Sequence, residues 1–246
     1  QRFLDAASAG FAMEAEGAEV RVLFMAESAA DNWFAGLQEP ASLAHTNWQR
    51  FTTAEPQTLR LQRQTDDAEL FVIAGHQVVT AEDIEGLTLG QSTKQPDGQP
   101  AADVVKATLA AGAIPLLPWG FGKWLGARGE LVDSLLTKFG TQLLLGDNSG
   151  RLAGTKTPAL LSAGAEKGHC LLPGSDPLPM PGEEHKVASF GSFLPGAVSG
   201  ETAFENIKAL IAADVSPTPF GKGESVFRFA RNQLLMQKRK RWPGRG

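Results

Sequence analysis

The chain has 246 residues, of which 42% are hydrophobic and 20% are charged, and its formal net charge is −4. This composition supports a buried core and excludes general disorder, and no apolar run approaches the roughly 20 residues that a membrane-spanning helix needs. The single cysteine, Cys170, excludes an internal disulfide and metal sites built on clustered cysteines, and the absence of tyrosine excludes phenol chemistry.

The charge is unevenly distributed along the chain. Of the 23 Lys and Arg residues, seven follow Glu224, the last acidic residue, which leaves 16 against 27 acidic residues before that point. The sequence is therefore an acidic body with a basic tail, which argues against a general nucleic-acid binder. The tail is either a site for an anionic partner, such as a phosphate backbone or a membrane surface, or a solvated terminus. Because the start resembles no secretion signal, we expect a soluble, cytoplasmic protein.

In the first part of the chain, strand patterns dominate. Residues 19–27 form an apolar run rich in extended formers, and Ser28 or Asp31 can cap a short helix after it. Residues 50–90 predict several strands joined by tight turns, and residues 90–100 predict a turn-rich loop.

From residue 101 onwards helical and strand patterns alternate. Helical patterns separate apolar runs that lack polar alternation, which predicts parallel strands covered on both faces. The pattern leaves two α/β arrangements open, a (β/α) barrel and an open doubly wound sheet. Residues 1–213 are assigned to this domain, and residues 214–246 to a linker, a further helix and the tail. The predicted helices are 101–112, 128–140, 157–168, 202–214 and 224–240, and the predicted strands are 113–119, 141–147 and 169–176.

In parallel α/β folds, catalytic and binding residues lie in the loops that follow the strands. Uncommon polar residues follow several of the predicted strands here. Pro177 directs the preceding Asp176 out of its strand, which suits a metal ligand or a general base, or else a turn-forming aspartate. Asp147 and Asn148 end another strand shortly before Arg151. These three residues could hold a metal, a water and an anionic group, or they could simply stabilise a turn.

Two further regions contribute candidate residues. Lys123 lies between glycines before a predicted helix that carries Arg128, an arrangement that could cradle a phosphate or carboxylate, and Trp119 could wall the same pocket. His76 stands out among four scattered histidines because it is predicted to lie in a loop at the end of a strand. A lone histidine is otherwise more often structural than ligating.

Two strings, FVIAGHQVVTAEDIEGLTLG (71–90) and LLPGSDPLP (171–179), carry a family resemblance. They resemble the PHP (polymerase and histidinol phosphatase) family of metal-dependent barrel hydrolases, including an uncharacterised bacterial branch with PWGFGKW and LGDN blocks. The resemblance implies a distorted, TIM-like (β/α) barrel, followed here by C-terminal helices. It also implies a centre of divalent metals such as Zn, Mn or Fe that hydrolyses phosphoesters, and Asp176 matches the family's late-strand aspartate ligand.

The sequence departs from the family pattern at three places. Gln77 stands where the family has a glutamate ligand, and Leu178 where it has a histidine. The family's first strand, which bears a His-x-His pair, has no match, since the sequence opens on what resembles the following helix. Either that strand lies upstream of Gln1, or the metal centre has been lost and the barrel has another use.

Two functions follow from these observations. The first is a PHP-like hydrolase of a phosphorylated or otherwise anionic small molecule, in which Asp176 and Asp147 hold a metal or activate water. His76 would assist as a metal ligand or proton carrier. The alternative is an inactive PHP-like barrel without a cofactor, acting as a binding or structural subunit for a partner protein. Either function allows an oligomer. The proposed substrate-binding residues are Lys123, Arg128, Arg151, Asn148 and Trp119.

Overall fold

The computed structural model describes residues 1–149, 151, 154–177, 183–213, 215–221 and 223. Leu178, the helix predicted over 224–240 and the basic tail lie outside these residues. The helices are α1 (Arg2–Glu14), α2 (Trp33–Gln38), α3 (Ala101–Ala110), α4 (Ala127–Phe139), α5 (Ala159–Glu166) and α6 (Ala203–Ala212). The strands are β1 (Val22–Glu27), β2 (Trp48–Phe51), β3 (Thr58–Arg63), β4 (Glu69–Val79), β5 (Glu85–Leu89), β6 (Ile114–Pro118), β7 (Leu144–Asn148), β8 (Leu171–Gly174), β9 (Phe190–Phe193) and β10 (Thr218–Gly221).

The long strand β4 organises the main sheet. β3 pairs antiparallel with its first half and β5 pairs antiparallel with its second half, while β1 runs parallel along residues 71–76. Ala74 lies at the junction, where its amide donates to the Gln57 carbonyl (2.8 Å) and its carbonyl accepts from the Gly90 amide (2.7 Å). Residues 70–76 are all buried. An uninterrupted apolar run is what a strand with partners on both edges and cover on both faces requires.

The main sheet is open, so the predicted (β/α) barrel is wrong. Its eight strands follow the order β2-β3-β4-β5-β6-β7-β8, with β1 beside β4. Within the described residues, the end strands β2 and β8 pair with no further strand of this sheet. Short turns join β2 through β5 and make these neighbours antiparallel, whereas helices join β6, β7 and β8 and make them parallel. Antiparallel β5 between β4 and β6 interrupts the βα repeat on which a TIM-like barrel depends.

Helices cover both faces of the sheet, as the buried strand runs predict. Successive residues of a strand point to opposite faces, so Val72 and Ile73 belong to different clusters. Val72 shares a cluster with Leu4 of α1, whereas Ile73 lies in the cluster that contains Phe204 of α6. The cluster around α3, α4 and α5 includes Leu145 from β7. Full burial of a side chain such as Phe204, which is 1% exposed, stabilises the fold by about 2–3 kcal/mol.

A small second sheet lies beside the main one. β9 and β10 pair antiparallel, and the rings of Phe193 and Phe220 lie 5.2 Å apart across the pair. Gly191 is required here because a Cβ at that position would come within 2.7 Å of the Phe220 ring. Residues 218–221 fall in the segment that the sequence assigns to a linker, and Phe220 packs against the cluster formed with α1.

None of the helices in the described part of the chain combines the length and the apolar character needed to cross a membrane.

Candidate functional site

The carboxyl ends of β6, β7 and β8 form one edge of the sheet, called here the carboxyl edge. The parallel register pairs Pro118 with Gly146 and Asn148 with Gly174, which places the loops after these strands side by side. β5 runs the other way, so its first residue, Glu85, lies at the same edge opposite Val79 of β4. Strand direction therefore brings together residues that are far apart in the sequence.

Asn148 connects three loops at the carboxyl edge. Its Nδ2 donates to the Trp119 carbonyl (2.9 Å) and to Asp176 Oδ2 (3.2 Å). Next to it, the Ser149 amide donates to the Gly174 carbonyl (3.1 Å) and the Ser149 hydroxyl donates to the Ser175 carbonyl. Asn148, Trp119 and Asp176, which the sequence singles out separately, are thus in one hydrogen-bonded group.

Asp176 has an unusual backbone and an unusual acidity. Its φ of 41° lies in the left-handed region, which L-residues other than asparagine and aspartate seldom adopt. Asp176 is exposed to solvent, although neighbouring protein lies close enough to the carboxyl group to desolvate it in part. Burial raises the pKa of the Asp176 carboxyl, the charge of Glu85 raises it further, and Lys123 and Lys186 act in the opposite direction. The carboxyl group is therefore better able to hold a proton than an ordinary aspartate.

Asp147 forms an ion pair with Arg151, four residues later in the chain. Arg151 Nη2 lies 2.8 Å from Asp147 Oδ2, and Nε lies 3.2 Å from both carboxylate oxygens. The same carboxylate accepts from the Asn148 amide (3.0 Å), and Arg151 Nη1 donates to the Thr155 carbonyl (2.8 Å). Asp147 therefore holds Arg151 at the carboxyl edge and neutralises its charge.

The loop between β6 and α4 is tied to the hairpin between β4 and β5. Lys123 Nζ lies 2.5 Å from Glu85 Oε2, and Arg128 Nη1 lies 3.0 Å from Asp83 Oδ2. Gly120 allows the Lys123 side chain to fold back, since a Cβ there would lie 2.6 Å from Lys123 Cδ. Exposed ion pairs of this kind contribute only about 0–1 kcal/mol, so both cations remain accessible to a competing anion.

Two large apolar side chains flank Lys123 at the surface. Phe121 is 68% exposed and Leu125 is 69% exposed, and both belong to the same glycine-containing loop. Gly122 and Gly126 have φ values of +73° and +57°, which only glycine adopts readily. The loop therefore presents a cation between two apolar groups beside the carboxyl edge.

His76 lies inside β4, which makes its predicted place in a strand-end loop wrong. It is 4% exposed, and the charges that act on it are those of Glu27 and Lys94, not those around Asp176. Burial lowers the pKa of the His76 imidazole, Lys94 adds to this effect, and Glu27 and the backbone of Gln91 and Ser92 oppose it. The structure thus does not bring His76 into the group around Asp176.

The family resemblance implies a metal centre built from several His, Asp and Glu side chains. In the described part of the chain, no three His, Cys, Asp or Glu side chains are grouped closely enough to hold a metal ion. Gln77, which replaces a family ligand, is half-buried in β4. The described residues therefore do not fit a multi-metal cluster.

Sequence reasoning missed two groups that shape the site. Glu85 raises the pKa of Asp176 through its charge, and its pairing with Lys123 spans 38 residues. Lys186 is 5% exposed and lies 3.2 Å from Glu183 Oε2, and its charge also reaches Asp176. Glu85 is one of many acidic residues in the sequence, and only the direction of β5 places it at this edge. No sequence pattern distinguishes Lys186 from a surface lysine.

No protein-family model and no curated protein matches the chain. Among solved structures, the chain is similar to the crystal structure of PsfC from Pseudomonas syringae PB-5123, with a TM-score of 0.52 and 15% sequence identity. The similarity covers 96% of this chain and 88% of that chain. At this level of identity it shows a shared fold and nothing about activity.

Proposed function

We propose that the carboxyl edge binds a phosphorylated or otherwise anionic small molecule and hydrolyses it. The observation that carries this proposal is the hydrogen-bonded group of Asp176, Asn148 and Trp119, with Lys123 and Arg151 on the neighbouring loops. A carboxyl group with a raised pKa beside cations is a combination that hydrolytic sites use.

Asp176 is the proton carrier in this proposal. The Asp176 carboxylate takes a proton from the attacking water as the new bond to phosphorus or carbonyl carbon forms. It then donates this proton to the leaving oxygen as the old bond breaks, so that one water is consumed. The raised pKa supports the role because proton transfer is most efficient when the pKa of the group approaches the working pH. Asn148 orients the carboxyl group through its bond to Oδ2.

The cations bind the anionic end of the substrate. Lys123 is paired with Glu85, and Arg151 with Asp147, so a phosphate would compete with these carboxylates. The Lys123 side chain is 41% exposed, which makes its ion pair weak and easily exchanged. Arg151 is oriented by two acceptors, Asp147 and the Thr155 carbonyl, so a phosphate would make a bidentate contact with its Nε and Nη2 only by displacing Asp147.

The second candidate is a subunit without catalytic activity, located in the cytoplasm, that binds a partner protein. The exposed side chains of Phe121 and Leu125 favour it. It is also favoured because the three predicted substrate-binding cations, Lys123, Arg128 and Arg151, already form ion pairs with carboxylates of this chain. Side chains such as Phe121 gain most from burial against a partner surface. An anionic partner for the basic tail stays a prediction, because the tail lies outside the described residues.

Hydrolysis of a phosphomonoester panel, headed by p-nitrophenyl phosphate, separates the two functions. The assay is run on the purified full chain after elemental analysis, without added metal and with Mn²⁺, Zn²⁺ or Fe²⁺. The hydrolase proposal expects turnover that falls by about 10²–10⁴-fold in Asp176→Asn. Asp133→Asn, an exposed variant on α4, is the matched control and should retain full activity. Equal rates in both variants would remove Asp176 from the mechanism, and no turnover under any condition would favour the binding subunit.

A further inference from the structure

Three exposed apolar side chains lie around one ion pair at the carboxyl edge. The pair joins Lys123 to Glu85. Val79 is the cross-strand partner of Glu85, while Phe121 and Leu125 stand two residues before and two residues after Lys123. The other large apolar side chains exposed in the described part of the chain lie on α1, β2 and α2, and they are Met13, Phe51 and Trp33. Val79, Phe121 and Leu125 are called here the apolar trio.

A tight turn presents Phe121 next to Lys123. The Lys123 amide donates to the Gly120 carbonyl (3.0 Å), which closes a four-residue turn with Phe121 and Gly122 at its centre. Gly122 has a φ of +73°, the positive value that a type II turn requires at its second central position. Phe121 therefore occupies the tip of the turn, where its ring meets solvent instead of the core.

Buried Trp124 fixes the other half of this loop. It is 7% exposed and packs in the cluster around α3, α4 and α5, whereas the next residue, Leu125, is exposed. Cα atoms two residues apart are separated by at most about 7–8 Å, so the side chains of Phe121 and Leu125 both begin within that distance of Lys123. The anchored tryptophan holds the two apolar side chains at the surface on either side of the cation.

The strands bring the third member of the trio to the same place. Val79 and Glu85 are directly opposite each other in β4 and β5, so their side chains share a face and begin about 4.5–5.5 Å apart. Val79 is 38% exposed. Because Glu85 reaches Lys123, the hairpin places Val79 beside the ion pair from the side opposite to the loop in the chain.

The apolar trio and the group around Asp176 belong to one site. Asn148 donates both to Asp176 and to the carbonyl of Trp119, which lies two residues before Phe121. The charges of Lys123 and Glu85 both act on Asp176. An anion that replaces Glu85 at the Lys123 ammonium therefore has the Asp176 carboxyl and exposed apolar side chains in its neighbourhood.

We infer that the ligands of the carboxyl edge are amphipathic, with an anionic group that pairs with Lys123 and an alkyl or aryl group that covers the apolar trio. For the hydrolase, the substrates are then phosphomonoesters of apolar alcohols. The catalytic part of this inference rests on the proposed function, whereas the ligand class is measurable by binding alone. Full burial of one methylene group tightens binding about fourfold, and contact on one side only should give about twofold.

A series of n-alkylphosphonates from methyl to hexyl tests the ligand class. The carbon–phosphorus bond is not an ester and the charge is the same throughout, so the series isolates the apolar contact from catalysis. Titration calorimetry on the purified full chain should show Kd falling about twofold for each added methylene, or about 30-fold from methylphosphonate to hexylphosphonate. Equal affinity for these two compounds, or binding of neither, would overturn the inference.

Variants assign the effect to the apolar trio. The double variant Phe121→Ser, Leu125→Ser should reduce the 30-fold ratio to about fivefold or less. Met13→Ser, an equally exposed apolar position on α1, is the matched control and should keep the full ratio. All three positions are exposed, and an unchanged urea midpoint verifies that each variant is folded. A full ratio in the double variant would refute the assignment.

A third variant tests the anionic part of the ligand. Lys123→Met removes the charge and keeps the apolar trio, so it should weaken methylphosphonate and hexylphosphonate by a similar factor. Unchanged affinity for both would show that Lys123 does not pair with the anion.

Hydrolysis is scored separately with n-alkyl phosphates, whose leaving alcohols have similar acidity. Turnover of methyl and hexyl phosphate with equal kcat/KM would overturn this inference and leave the proposed function intact. Phosphonate binding that depends on chain length, with no turnover of any ester, would support the ligand class and overturn the proposed hydrolysis.

Discussion

Replacement of Gly90 by alanine should lower the free energy of unfolding by about 2–5 kcal/mol. Gly90 has a φ of +86°, and a Cβ there would lie 2.0 Å from two atoms of the Phe204 ring. The left-handed backbone alone costs an L-residue about 1–2 kcal/mol, and forcing the buried ring aside adds about 1–3 kcal/mol. The ring is 1% exposed and cannot move without disturbing the packing of α6 on the sheet.

Gly17 provides a matched control for this prediction. It has the same φ of +86°, but no described atom lies within 4 Å of a Cβ built on it. Gly17→Ala should therefore show the backbone cost alone. Urea unfolding curves of both variants, followed by tryptophan fluorescence, measure the difference. Equal destabilisation of the two variants would refute the steric reasoning and the contact between Gly90 and Phe204.

Three further predictions concern the carboxyl edge and the support of α6. The raised pKa of Asp176 means that the folded protein binds its proton more readily than the unfolded chain, so Asp176→Asn should be more stable than the unaltered chain at pH 7. The advantage should shrink as the pH falls towards the ordinary value of 3.8, and a constant difference in urea midpoints would contradict it. Glu55→Ala should cost about 2 kcal/mol because the carboxylate accepts from the amides of Phe204 and Glu205 (both 2.9 Å) at the start of α6, and an unchanged urea midpoint would refute this cap. The exposed variant Phe121→Ser should change the urea-derived stability by less than about 0.5 kcal/mol yet weaken any ligand or partner bound at the loop, and a large loss of stability would show that Phe121 supports the fold.

The gathering of strand-end residues was predictable from the sequence in part. Asp147, Asn148 and Asp176 follow apolar runs separated by a helix of about two turns, and such a unit makes β7 and β8 parallel neighbours. Their loops therefore had to meet at one edge. The role of Asp147 was not predictable, because its partner Arg151 fixes it through the conformation of the intervening loop.

The placement of His76 depends on strand length and strand pairing, which the local sequence pattern does not reveal. A histidine between an apolar run and a turn signal reads as a strand-end residue, yet β4 continues for three residues beyond it. The direction of its side chain depends on the register with β5, and its surroundings include the backbone of Gln91 and Ser92, which follow β5. Neither depends on residues adjacent in the sequence.

By itself the sequence determined the positions of most helices and strands, because periodicity, caps and turn residues act over a few neighbouring residues. The pattern over 128–140, for example, predicts α4, which the structure places at Ala127–Phe139. Only the tertiary structure decided that the sheet is open and that Glu85 and Lys186 act on Asp176. The physical reason is that strand pairing and charge act across space between distant segments: antiparallel β5 prevents the βα repeat from closing, and the same strand places Glu85 beside Asp176.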